Sequence, residues 1–247
     1  MRTILIWIIA DPALDCKTFW GALPEFAAPG VAEAATLAEW RFRMTGMQVE
    51  TPDTIHAFWF GEGEDDAQVA RERAPLWWAK RDETDDAIRA RFAATLRQAA
   101  AGALVDWAET PRGRLALILL ADQFPRNMYR NAPAAFAHDA AARAWCREGL
   151  RRDVHRELRA IERVFFYLPL EHSEALEDQE QSVALFRELA AESEPAAQEV
   201  FDGFLDYALR HRDVIARFGR FPHRNRILGR ASTEEEIVFL RQPGSSF

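Results

Sequence analysis

The sequence predicts an all-helical protein assembled around one buried helix, and three observations predict it. Ala, Arg, Glu and Leu dominate its 247 residues, a composition that favours helix. Apolar residues recur at three- and four-residue steps between capping signals, as in Ile88, Phe92, Thr95, Leu96 and Ala99. Arg114–Phe124, RLALILLADQF, is apolar on nearly every side, the pattern of a central helix packed all round. With 49% hydrophobic residues, eight Trp and seventeen Phe, the chain can bury roughly three quarters of its unfolded surface without a metal or disulfide staple.

Taken in order, residues 1–45 alternate Ala/Pro/Gly-containing stretches with scattered aromatics and read as a weakly attached extension, with Met44 or Met47 a candidate start for the folded part. Residues 46–247 read as a single helical domain. Thr51-Pro52-Asp53-Thr54 sets an N-cap and a first-turn proline for a short helix that ends at Gly61. Trp77 and Trp78 follow an acidic turn and suit a packing anchor better than a ligand cage. A helix from Thr84 to Gly102 precedes the central one, which Pro125 is expected to stop. Further helices are expected from His138 to Gly149 and from Asp153 to Tyr167. Within the organising stretch Val164–Phe186, Pro169 is expected to separate the latter from the helix that carries Glu171 and His172. The last long helix runs from about Pro195 to Phe218 with Gly219 as its terminator, and Ser232-x-x-Glu235 caps a final short one.

Charge and cysteine usage exclude several classes. A formal charge of -8 argues against nucleic acid as partner, because phosphate binding needs a clustered positive field. Ile4–Ala10 is far below the roughly 20 residues that span a bilayer, so no membrane is expected. Cys16 and Cys146 lack ligand spacing and fit a reducing, cytoplasmic setting. The HExxH, GxSxG, glycine-rich phosphate-loop and EF-hand patterns are all missing, and neither a metal nor a cofactor is expected.

What points to a site is polarity in apolar phase. Asp122 follows Ile118 and Leu119 on the central helix, Glu162 falls between Leu158 and Phe165, and His172 and Gln179 fall inside the stripe of Leu176, Val183 and Phe186. His211 edges the apolar face of the last long helix. A buried polar group without a partner costs on the order of 1–3 kcal/mol, so other segments must meet these. Asp122 could instead form a structural ion pair with Arg126 or Arg130. Glu171, Glu174 and Asp178 form an acidic edge that could hold a cation or simply be solvated. Five arginines and a histidine crowd Arg217–Arg230, RFGRFPHRNRILGR, as an anion site or as counter-charges for the buried acids.

The stretches FWFG (58–61), LLADQFPRN (119–127), ERVFFYLPLEHSEALEDQ (162–179) and HRDVIARFGRFPHRNRILGRASTEEEIVFL (211–240) resemble, in order, the bacterial family called domain of unknown function 924. The resemblance covers roughly residues 52–247 and implies an all-helical, tetratricopeptide-like antiparallel array. It implies no settled activity. Asp122, Gln123, Arg126, Asn127, Glu162, Glu171, His172, Asp178, Gln179, His211, Arg220, His223, Arg224 and Asn225 are the polar residues of these motifs. We expect them to converge in one pocket. As a binding module, that pocket would hold a small anionic molecule or a peptide carboxylate, with Arg220 and Arg224 as clamps and Gln179 and Asn127 fixing orientation. As an enzyme, His172 or His223 would act as general base or acid, poised by Asp122 or Glu162. No serine or cysteine has a nucleophile context, and a purely structural network is a third reading. Oligomeric state is not legible.

Overall fold

Thr51 opens the first helix because its hydroxyl accepts the Thr54 N–H (3.2 Å) while the Thr54 hydroxyl oxygen accepts the Thr51 N–H (2.9 Å). This helix, α1 (Pro52–Phe60), ends at Gly61, whose φ of +73° suits a residue without a side chain. The computed structural model describes residues 49–245, and every regular element among them is helical. The expected extension at 1–45 lies outside the described residues. Glu50–Phe247 form one compact unit.

α2 (Asp66–Trp78) and α3 (Asp82–Ala100) pack their apolar faces inward. Ile88, Phe92, Thr95, Leu96 and Ala99 are all buried, as their spacing predicts. The Trp77 indole N–H donates to the Trp59 carbonyl (3.0 Å), and Trp78 stacks on Phe165 with centroids 5.8 Å apart. The tryptophan pair is a packing anchor.

The central helix is less regular than its sequence suggests. α4 (Pro111–Ile118) passes through a π turn at Leu119–Gln123 into α5 (Phe124–Met128), and residues 113–125 are buried throughout. Pro125 therefore does not stop the helix. A proline has no N–H and crowds the carbonyl four residues back, and widening the turn lets the Phe124 N–H reach the Leu119 carbonyl instead.

α6 (Asp139–Arg151) crosses close to its neighbours at Gly149, where an added Cβ would stand 2.5 Å from the Phe166 ring. The expected helix from Asp153 is split by extended Leu158 into a 3-10 turn at Val154–Glu157 and α7 (Ala160–Glu171). Pro169 lies inside α7, so the break expected there falls instead at residues 172–175. His172 and Gln179 consequently do not share a helix, and Leu176 is exposed at the start of α8 (Leu176–Glu192) while Val183 and Phe186 are buried.

α9 (Gln198–Phe218) folds back along α8. The Gln198 amide donates to the Ala190 carbonyl (3.2 Å) at the turn, and Arg212 lies 3.9 Å from Glu180 further along. Gly219, at φ +67°, ends α9. After the arginine-rich loop, Thr233 and Glu236 form the capping box of α10 (Glu234–Leu240), one residue later than the Ser232/Glu235 pair expected. Among the described residues no helix is long and apolar enough to cross a membrane.

Phe165 joins these layers, with ring centroids within 6 Å of Trp59, Phe60, Trp77 and Trp78. Phe165→Ala is expected to lower unfolding free energy by about 3–5 kcal/mol in urea titration, as for other large aromatic truncations. A loss below about 1 kcal/mol would mean that this cluster does not hold the layers together.

Candidate functional site

The π turn places Asp122 in the interior with no solvent exposure. Three partners meet it there. His172 Nδ1 stands 2.9 Å from both carboxylate oxygens, the Gln123 amide donates to Oδ2 (2.6 Å), and Arg126 Nη1 lies 3.2 Å from Oδ1. Burial pushes the Asp122 carboxyl up, but the charge of Arg126 and the hydrogen bonds from His172 and Gln123 outweigh it, holding the group well below the usual carboxylate range. Burial and Arg126 push His172 down; Asp122 pulls it up and Arg224 opposes, so the imidazole ends below its ordinary value. A neutral ring beside an ionised carboxylate puts its one proton on Nδ1, donated to Asp122.

Arg126 also forms a two-pronged pair with Asp139 (2.9 and 3.0 Å), and Asp139 Oδ2 lies 4.0 Å from Arg224 Nη1. Arg224 donates to the His172 carbonyl (2.9 Å) and lies over Phe221 and Phe136, 4.3 and 4.9 Å from their centroids. Burial lowers Arg224 to about 10, with Arg126 adding, so it remains charged at neutral pH. Its Nε is buried without a partner. A pocket of about 500 Å³ opens against this cluster, lined by Phe136, Asp139, Arg143, His172, Ser173, Glu174, Ala175, Arg224 and Leu228.

Glu171 and His211 form a second buried pair close by, with His211 Nδ1 3.2 Å from Glu171 Oε1 and 2.8 Å from the Tyr207 carbonyl. The His172 and His211 rings lie 6.3 Å apart. Burial raises Glu171 to about 8, with the Asp122 charge adding, and burial holds His211 well below its ordinary value. The pair is neutral at pH 7.

Asp122, Gln123, Arg126, Glu171, His172, His211 and Arg224 thus come together, with His223 near enough to act on both imidazoles, and the rest of the expected set does not join them. Glu162, ten residues back along α7 and so about 15 Å away, accepts from His56 (3.1 Å) and from the Arg159 N–H (3.1 Å) at the helix start. Asn127 donates to Asp85 (2.9 Å), which also holds Arg130. The Gln179 amide donates to the carbonyls of Glu171 (2.6 Å) and Ser173 (2.7 Å), closing the end of α7. Asp178 takes the Ser173 hydroxyl (2.6 Å) and Arg147.

Arg220 and Asn225 both donate to Glu236 and fasten the loop to α10. Arg230 pairs with Glu174 (2.6 and 2.9 Å) and Arg217 with Glu235 (2.9 Å), so these loop arginines neutralise acids other than the buried ones. His223 is lowered to about 3 by burial and by Arg224, and its ring lies 5.6 Å from Phe221; it does not line the pocket. The supposed acidic edge is broken up, since Glu171, Glu174 and Asp178 face different partners. No metal-holding cluster of three or more His, Cys, Asp or Glu occurs among the described residues. Asp139, Arg143 and Phe136 were not legible as site residues, because the start of a helix and a half-exposed face give no phase signal.

The family model for bacterial proteins of unknown function, domain of unknown function 924, matches residues 55–244. A solved protein of unknown function from Agrobacterium tumefaciens is similar to the chain, with 35% identity and a TM-score of 0.60 over 72% of this chain and 99% of that one. No curated protein matches it.

Glu171 gives the site a measurable signature. Its folded pKa is raised above the ordinary 4.5, so the stability it contributes is full below that value and is lost as pH rises through about 8. In urea titrations across this window, the wild-type protein is expected to lose stability relative to Glu171→Gln. Parallel curves for the two proteins would mean that the carboxyl is already ionised in the folded state.

Proposed function

The chain belongs to the bacterial family of unknown function 924, and from that premise we propose that its pocket binds a small anionic molecule or the terminal carboxylate of a peptide. One observation carries the reading: Arg224 is a buried guanidinium with no carboxylate oxygen in hydrogen-bond reach, the nearest being Asp139 at 4.0 Å. A buried charge normally has a direct counter-charge, and a planar fork held between two phenyl rings is preorganised for the two oxygens of a carboxylate or phosphate. Arg143, which also lines the pocket, supports it, since its closest acid, Asp178 at 3.7 Å, is held more tightly by Arg147. Asp139 and Glu174 also line the pocket but are neutralised by Arg126 and Arg230. Phe136 and Leu228 provide the apolar wall.

A thermal-shift titration with succinate, phosphate and short peptides tests this reading. A ligand at a hundred times its Kd adds about 2.7 kcal/mol, so the wild-type melting temperature is expected to climb with the matching anion. Arg224→Lys, which keeps the charge and loses the fork, is expected to shrink the shift, and Arg224→Ala to abolish it. A wild-type protein indifferent to the whole panel, or an unchanged shift in Arg224→Ala, sinks the proposal.

A further inference from the structure

We propose that His172 is a general base that activates water to hydrolyse an ester borne by the anion held in this pocket, with Asp122 as its positioning residue. The inference rests on the anion-binding reading and adds a reaction to it. His172 presents its two ring nitrogens to different surroundings. Nδ1 is committed to Asp122 at 2.9 Å, whereas Nε2 has no hydrogen-bond partner among the described residues and His172 lines the pocket beside Arg224. The carboxylate cannot turn away, because Gln123 and Arg126 occupy its remaining directions. A ring fixed from behind in one tautomer, with a free lone pair in front, is the arrangement a general base needs.

The attacking group is water and not a side chain. Ser173, the neighbouring hydroxyl, donates its one proton to Asp178 (2.6 Å) and accepts the Ala175 N–H (3.2 Å), so His172 has no proton to take from it. Cys146 is buried, and burial pushes its thiol up and away from the reactive thiolate. In the step, Nε2 takes a proton from water as the water oxygen forms a bond to the ester carbonyl carbon. The carbon–alkoxy bond of the intermediate then breaks, and the imidazolium returns the proton to the leaving oxygen. Products are an acid and an alcohol, with no change of oxidation state. Arg143 supplies positive charge for the oxyanion while Arg224 holds the substrate's distal carboxylate.

The full chain is assayed with 4-nitrophenyl hydrogen succinate, which carries a carboxylate, and with 4-nitrophenyl acetate, which does not, while succinate binding is followed by calorimetry. Saturable hydrolysis of the succinate ester well above the acetate is expected, with a solvent deuterium isotope effect on the wild-type protein. His172→Gln, whose amide can still donate to Asp122, should cut kcat about a hundredfold or more and leave succinate binding in place.

The charged and titratable groups that act on the ring or share its pocket are Asp122, Arg126, Asp139, Arg143, Glu174, His211, His223 and Arg224, with Glu171 beside it in the chain, and Asp122 is the carboxylate that pulls the ring toward its charged form. Asp122→Asn removes the one that favours the imidazolium, so the acid limb of the pH–rate profile should move lower, a shift that mere loss of folded protein cannot produce. Succinate binding without turnover overturns the catalytic proposal and spares the binding one. No succinate binding overturns both. Equal rates on the two esters, or full activity in His172→Gln, assign the hydrolysis to an adventitious surface group and overturn the catalytic role.

Discussion

A carboxylate with no exposure to water fixes the geometry of this end of the molecule. Asp122 is ionised in the interior, and an isolated charge there would be prohibitive, so each of its partners must be delivered by the fold. Arg126 arrives from the same helix one turn on, His172 from the corner after α7, and Gln123 from the next residue. Arg126 then needs Asp139 from the start of α6, and Asp139 approaches Arg224 from the arginine-rich loop. Signs alternate along this row, which ties four separate stretches of chain to one buried oxygen pair.

The neighbouring acid shows why Asp122 and not another carboxyl carries the charge. Glu171 is equally dry, but no cation offsets its burial, and the negative charge of Asp122 raises it further. Two carboxyls close together in a medium of low dielectric are pushed apart in pKa by their surroundings: the one with an arginine ionises, and the other keeps its proton. His211 follows the same logic and stays neutral against Glu171. The site therefore sets an ionised carboxylate with its neutral imidazole beside an uncharged pair, with 6.3 Å between the two imidazole rings.

Helical phase made much of this legible. A polar side chain at an apolar position must be buried, and Asp122 and His211, marked in this way, are indeed buried with His172 near Glu171 and Arg224, which were marked by local charge. Phase also picked out Glu162 and Gln179, and motif charge Asn127, Asp178 and Asn225, all of which are buried but bonded elsewhere. Phase says that a group leaves water and not which group receives it. The helical class was legible from composition and periodicity, whereas the helix breaks near proline were not. Pro125 is absorbed by a wider turn and Pro169 by α7 itself, so the corner fell at 172–175 and not at the proline. Asp139 and Arg143 needed three dimensions, because nothing local marks an acid in a first turn or an arginine on a half-exposed face.

The arrangement is expensive if its purpose is stability alone. Buried ion networks often hold a fold no better than well-packed apolar residues of the same volume would, so one retained here calls for another reason. A network serving only as a scaffold would also close on itself. The Arg220–Glu236–Asn225 group closes its charges in this way, with Glu236 accepting from Arg220, Asn225 and the Thr233 N–H, and leaves over only the neutral Asn225 Oδ1. The Asp122 group ends instead on a guanidinium short of a carboxylate and on an imidazole with one nitrogen to spare, and both lie on the wall of the same pocket. The turn that departs from α-helical geometry, Leu119–Gln123, contains Asp122 and ends two residues before Pro125. Departures from local rules gather where something other than folding constrains the chain, and here two of them line one opening while the third carries the carboxylate that holds His172.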